Sequence, residues 1–507
     1  MAANIFTGAI SSDWSVAANW SLGAVPTNSD TNIATFDNTS PNCTLSTDVS
    51  CCGIDFTGYV NILTLPATRR LLVYGNTGLA PTITFTSTQS SVIAGTGKLI
   101  IYATSAYPHT ITTNGGTWNN DIEIYADTVV TITITGILTI NGLLILTPFF
   151  ANHTTTINGG EIICNGISGA NQLVVTTLTG TSPITVSGGI ISAGASYLRI
   201  TSTNFRFNGN CTVTGTLTFN TGTMTHISGE VDWSNTTLII SASATLNLGT
   251  MPTPLNNLQI TSASPTITLL SDLYVITLTL SSTGIPVWTG NTLYIRGSLI
   301  HVQNSIQTGT TTFVMNGTGT YSSTSINCII RNNFTINTTV KITFGAIIAY
   351  NTGTFTYLSG KVVVPKNAIM YVAASTTLIN CHKINFETVQ LNAGQTFTMN
   401  EFFSGSPNKP VKVISSSTSN YNITFQNGYE KIAKFVKISN LTLTNTATSK
   451  GSLLILNNKG KYFRGSNNIG NIRYTNTTPN GIAKGEPTVP NQMTAPIGGY
   501  LSDPVFN

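Results

Sequence analysis

Charge is what this 507-residue chain has least of: Asp, Glu, Lys and Arg together make up 8% of it, against roughly 25% in an ordinary soluble domain. Low charge in a polar chain would signal disorder. Here, however, the apolar share is 41% and β-branched residues recur throughout, a folded, β-rich composition. Thr, Ser and Asn take the place of Lys and Glu, which suits strands stacked in register, because identical charges on neighbouring strands would repel. No helical period of 3.6 runs for any useful length. No uninterrupted apolar run reaches about 18 residues, so no membrane insertion is expected. The opening MAANIFTGAISSDW has no basic region followed by an apolar core, so no secretory leader is expected.

Chemistry-bearing patterns are equally sparse. The seven cysteines, Cys43, Cys51, Cys52, Cys164, Cys211, Cys328 and Cys381, are odd in number and scattered, which argues for small core fillers rather than a disulfide framework. The histidines His109, His153, His226, His301 and His382 lie far apart, and Cys381 and His382 as strand neighbours point to opposite faces, so no metal is expected. No nucleophile elbow, phosphate loop or dinucleotide fingerprint occurs, and no cofactor is expected. Charge is distributed unevenly: residues 1–340 carry 7 basic and 12 acidic side chains, residues 341–507 carry 15 and 5. A basic end can dock on acidic surfaces. Its lysines, such as Lys431, Lys434 and Lys437, are not interleaved with aromatics as a base-stacking surface requires, and nucleic acid is not an expected partner.

What is present is a ladder of short apolar pairs. Leu198-x-Ile200, Leu217-x-Phe219, Leu238-x-Ile240, Leu258-x-Ile260 and Leu278-x-Leu280 are followed, after an irregular step at Leu293-x-Ile295, by Phe313-x-Met315, Phe334-x-Ile336 and Phe355-x-Tyr357. Residues i and i+2 share a strand face. Strands this short cannot bury a face alone, so a step near twenty residues predicts stacked coils about 4.8 Å apart: an all-β parallel β-helix, or β-solenoid. Earlier strand-like runs include Leu99-Ile100-Ile101, Ile122-x-Ile124 and Ile184-x-Val186, punctuated by turns such as Asn158-Gly159-Gly160. The expected division is a cap over 1–48, a solenoid rod over 49–400, a closing β unit over 401–474, and an extended tail over 475–507. That tail is rich in proline and ends in Tyr500-Leu501 and Val505-Phe506, which suits a peptide that docks on a partner.

Both ends carry a resemblance. Trp14, Ala17-Ala18-Asn19-Trp20-Ser21, Val25-Pro26-Thr27 and Asp30 look like the N-terminal segment of repetitive β-helical proteins of bacterial surfaces and of phage and giant-virus particles. The run Ala433 to Asn440, followed by Ser466-Asn467-Asn468-Ile469-Gly470-Asn471-Ile472, resembles the closing coil of the same group, with Ile472-Arg473-Tyr474 where those typically show Gly-Trp-x-Phe.

Rods of this kind can carry glycan-cleaving sites, which need two carboxyls about 5 to 9.5 Å apart. Asp121 with Glu123, and Glu230 with Asp232, stand at i, i+2 spacing in alternating runs, with Asp127 near the first pair. These are the catalytic candidates of an enzymatic reading, and Tyr102, Tyr107 and Tyr125 are its sugar-platform candidates. The alternative is that the acids are solvent-facing strand residues. The leading expectation is a non-enzymatic virion component (fibre, spike or capsid decoration protein), localised to the particle and attached to other virion proteins through its tail. A host-surface glycan and two further copies of the chain in a homotrimer complete the expected partners. A bacterial surface adhesin or layer protein and a tailspike-type glycan depolymerase are the alternatives.

Overall fold

In the computed structural model the described residues run from 3 to 426, except 30, 75–81, 86–92, 104–108, 114–116, 127–128, 149–152, 170–175, 181–182, 203, 346, 351–352, 406–410 and 420. Beyond 426 the strands 431–434, 436–438, 441–443, 453–457, 462–463, 466–467, 472–476 and 500–501 are described. Among these residues the protein is all-β, a parallel β-solenoid of about 15 coils of near 22 residues each. Two short 3-10 turns, Ala17–Asn19 and Cys381–Lys383, interrupt the strands. The chain forms two compact units, Met1–Leu258 and Gln259–Asn507.

In the first unit, pairing runs from coil to coil through one apolar column: Val49 to Leu71, Leu99, Ile122, Leu144, Ile167, Ile191 and Val213. Every member is buried, and each contributes on the order of 2 kcal/mol of apolar burial. The rungs read from sequence pair in register here, Leu198 with Leu217 and Leu217 with Leu238. At the N-terminal end the strand Ala3–Ile5 pairs in parallel with Ile33–Thr35. The interior here is aromatic: Trp14 packs edge-on against Trp20 at 4.8 Å, Phe6 against Trp20 at 5.2 Å, and Phe36 stacks on Phe56 at 5.4 Å. Asn19, fully buried, ties the intervening loop together. Its Oδ1 accepts from the backbone N–H groups of Ile10 and Ser11 at 2.9 Å each, and its Nδ2 donates to Ser11 Oγ at 3.0 Å and to the Asp13 carbonyl at 2.7 Å.

The second unit separates the apolar pairs into distinct columns. Leu278 pairs with Leu299, and Leu299 with Tyr321. Leu293 pairs instead with Leu273 on one side and Phe313 on the other, and that column continues through Phe334, Phe355, Leu378 and Met399 to Phe425. A third column pairs Ile267 with Trp288 and Trp288 with Gly309. The ladder expected as a single run therefore spans two faces, and its irregular step from Leu278 to Leu293 is the jump between them. Inside this unit lies a buried polar chain: Trp288 Nε1 donates to Gln307 Oε1 at 2.9 Å, Gln307 Nε2 donates to Ser305 Oγ at 3.0 Å, and Ser305 Oγ meets His301 Nε2 at 2.8 Å.

Gly309 shows how closely coils approach. Its φ is +121°, and a Cβ there would stand 1.9 Å from the Trp288 carbonyl oxygen. Gly309→Ala is expected to destabilise the second unit by about 2–3 kcal/mol, read as a lower denaturation midpoint. An unchanged midpoint would contradict this register.

Outside, uncharged ladders explain how so few charges suffice. Asn400 Nδ2 donates to Asn380 Oδ1 at 2.7 Å, Asn141 Nδ2 to Asn119 Oδ1 at 2.8 Å, and the Thr268 and Thr289 hydroxyls meet at 3.0 Å. These pairs join equivalent positions one coil apart without repulsion. Parallel pairing continues past residue 400: Thr388–Leu391 pairs with Val411–Ser415, which pairs with Val436–Ile438. Of the segment 475–507, Tyr500–Leu501 pairs antiparallel with Tyr462–Phe463. Residues 477–499 and 502–507 lie outside the described residues.

Candidate functional site

Three consecutive strands of the first unit, Arg70–Tyr74, Lys98–Ala103 and Ile122–Ala126, build one outer face. Alternation sends Leu71 and Val73, Leu99 and Ile101, and Ile122 and Ile124 into the core, all of them buried. Arg70, Leu72 and Tyr74, then Lys98, Ile100 and Tyr102, then Glu123 and Tyr125 are left on the other side. Register aligns Tyr74 with Tyr102 and Tyr102 with Tyr125. Because neighbouring strands stand about 4.8 Å apart, identical side chains in register sit at ring-stacking distance. The centroids are 4.6 and 5.2 Å apart, with planes inclined at 31° and 30°. The result is a ladder of three half-buried rings.

The face is a groove of about 670 Å³ with Leu72 and Ile100 in its lining. At the start of the strands, the turn Pro66–Arg69, closed by the Arg69 N–H to the Pro66 carbonyl at 2.8 Å, brings Ala67, Thr68 and Arg69 to the groove. Lys98 Nζ stands 3.4 Å from Glu123 Oε2, and Thr147 donates to Glu123 Oε1 at 2.7 Å. Arg70 Nε lies 3.6 Å from Asp48 Oδ2, with both side chains largely in solvent.

The carboxylates singled out from the sequence stand in different settings. Glu123 lines the groove. Asp121, just before the same strand, turns its Oδ1 to the backbone N–H of Leu143 at 2.9 Å, bracing the turn of the next coil. Glu230 is exposed, and its N–H donates to Asn210 Oδ1 at 2.9 Å. Asp232 accepts the Ser234 N–H at 2.9 Å, and that backbone hydrogen bond holds its carboxyl below the usual range. Neither Glu230 nor Asp232 lines the groove. Asp127 and Tyr107 lie outside the described residues. Among the described residues, no three His, Cys, Asp or Glu side chains are grouped to hold a metal ion, and no helix is long and apolar enough to cross a membrane. The seven cysteines are free and buried, and burial pushes the thiols of Cys164 to about 12 and Cys211 to about 11.

Tyr74, Lys98, Arg69 and Arg70 were not among the residues expected to form a site. The signal for most of them is a recurring pentapeptide, a charged residue followed by Leu or Ile, any residue, Val or Ile, and Tyr: Arg70-Leu71-Leu72-Val73-Tyr74, Lys98-Leu99-Ile100-Ile101-Tyr102 and Asp121-Ile122-Glu123-Ile124-Tyr125.

Fold and face together define a parallel β-solenoid carrying an aromatic, cation-bordered groove on one side. No protein-family model, no curated protein and no solved structure matches this chain.

Proposed function

We propose that this chain is a non-enzymatic structural protein of a virus particle, a fibre, spike or decoration protein, that attaches the particle to a glycan-bearing surface through the tyrosine-lined groove. A β-solenoid fits structural, adhesin-like and tailspike-like proteins; a repeat that builds length rather than a pocket, and a proline-containing, apolar-ended tail suited to docking, support the virion reading. The tail over 475–507 is its attachment to other virion proteins, and uncharged Thr and Asn faces are compatible with three copies side by side. The observation that carries the glycan reading is the Tyr74–Tyr102–Tyr125 ladder, with rings 4.6 and 5.2 Å apart along an open groove. Flat aromatic faces with polar groups beside them are what the C–H faces and hydroxyls of pyranose rings require. Among the described residues Glu123 is the one carboxylate that lines the groove; Lys98 already matches its charge and Thr147 donates a hydrogen bond to it. Hydrolysis of a glycoside needs two carboxyls, so this groove favours holding a saccharide over cleaving one.

Binding of surface oligosaccharides to the full chain tests this. Tyr102→Ala is expected to weaken binding at least about tenfold, roughly 1.4 kcal/mol, while still unfolding in one cooperative transition, with no shortening of the glycan by either protein. Shortening that Glu123→Gln abolishes would replace this reading with a glycan depolymerase, and Tyr102→Ala binding as tightly as wild type would remove the groove from the account.

A further inference from the structure

Charge around the groove runs against its surroundings. Residues 1–258 hold five basic side chains, Arg69, Arg70, Lys98, Arg199 and Arg206, against eleven acidic ones. Three of the five line this one groove, where they meet a single carboxylate, Glu123. Lys98 is matched by Glu123 at 3.4 Å. Arg70 stands 3.6 Å from Asp48, an exposed pair that solvent and salt screen. Arg69 has no ion-pair partner among the described residues. Positive charge therefore remains uncompensated at the turn end of the groove, while the tyrosines occupy the other end of the same strands. From Arg70 to Tyr74 is four residues, on the order of 13 Å along a strand, a span longer than one sugar ring.

We infer that the groove selects an anionic oligosaccharide, one sugar face lying on the Tyr74–Tyr102–Tyr125 ladder and a carboxylate or sulfate of a neighbouring sugar reaching Arg69 and Arg70. This rests on the saccharide reading above and adds its charge class. Two guanidinium groups suit the task because their planar forks present paired N–H donors to a carboxylate or sulfate, which an ammonium cannot do. Glu123, held by Lys98 and Thr147, keeps the middle of the groove near neutral and leaves the excess charge at Arg69 and Arg70. A neutral oligosaccharide would fill the aromatic end and leave both guanidinium groups in water.

Calorimetric titration of the full chain tests the inference with paired oligosaccharides. Uronate- and sialate-bearing chains are compared with their carboxyl-reduced counterparts, and sulfated chains with their desulfated counterparts. The two sets distinguish carboxylate from sulfate. Expected is at least about tenfold tighter binding of the charged member of at least one pair, weakening as salt rises. The double variant Arg69→Gln/Arg70→Gln is expected to lose that preference while keeping the affinity for the neutral member. An unchanged melting curve verifies that the double variant is folded. Neutral members that bind as tightly as charged ones, or a double variant that keeps the preference, overturn the inference. In those cases binding still lost in Tyr102→Ala leaves the saccharide reading standing. If no member of any pair binds, the saccharide reading falls and the inference falls with it.

Discussion

Replacing Asn19 by alanine is expected to destabilise the N-terminal coils by about 3 kcal/mol. The side chain is fully buried and makes four hydrogen bonds, two of them accepting backbone N–H groups and one donating to a backbone carbonyl. Alanine removes the shared acceptor of the Ile10 and Ser11 N–H groups and one donor to the Asp13 carbonyl, which keeps the Val16 N–H at 3.4 Å. Ile10 and Ser11 are exposed, so water takes part of the loss and each bond counts for roughly 0.5–1.5 kcal/mol. Asn19→Asp keeps the acceptor and loses the two donated bonds, so it should fall between wild type and alanine. Hydrogen exchange at Ile33–Thr35, the strand that pairs with Ala3–Ile5, reads the effect locally. If exchange there is equally slow in Asn19→Ala, the loop is not organised by this side chain.

Mild acid is expected to act on both units through two buried histidines. His109 and His301 are fully buried, and burial lowers the pKa of each to about 4. A hydrogen bond to a backbone carbonyl only partly offsets this for His109, whose Nε2 lies 3.0 Å from the Tyr102 carbonyl oxygen. His301 Nε2 lies 2.8 Å from Ser305 Oγ. Among the described residues, Nδ1 of each ring has no hydrogen-bond partner. In the unfolded chain each ring binds a proton near pH 6.5, whereas in the folded protein it resists until about pH 4. Their stability contribution is therefore complete above pH 6.5 and is lost as pH falls from there towards 4, by about 3 kcal/mol per histidine, since one pKa unit is worth 1.36 kcal/mol. Denaturation midpoints measured across this range should fall steeply in wild type, and the fall should flatten in His109→Gln/His301→Gln. A wild-type profile that is level between pH 6.5 and 4.5 would show that the rings are not held neutral in the core. His109 is bonded to the backbone of Tyr102, so the same acid range is expected to loosen the groove.

The coil was legible in the sequence because a two-residue strand period combined with a twenty-residue step has few other solutions. What alternation could not assign was the face. Leu278 and Leu293 carry the same apolar signature, yet one belongs to the column of Leu299 and the other to that of Leu273 and Phe313; several columns per coil present identical patterns. Glu123 and the tyrosines Tyr102 and Tyr125 were visible as a local grouping. Their partners were not, because stacking imports them from other coils: Leu71 to Leu99 is a step of 28 residues and Leu99 to Ile122 one of 23, so no fixed period aligns Arg70 with Lys98. Asp121 shows the same import from another coil. Its i, i+2 spacing from Glu123 is real, but the bond that occupies it comes from Leu143 in the next coil.

The groove depends on register, since only in-register stacking puts Tyr74, Tyr102 and Tyr125 into one ladder. Cysteine pairs test it directly. Strand neighbours stand about 4.8 Å apart, within the Cα range of a disulfide, and the seven native thiols are buried. Tyr102→Cys with Tyr125→Cys should oxidise to a disulfide, found by peptide mass spectrometry, whereas Ile100→Cys with Tyr125→Cys, two residues out of register on the same face, should remain reduced. The reverse result, or equal yields from both pairs, would contradict the stacking on which the groove is built.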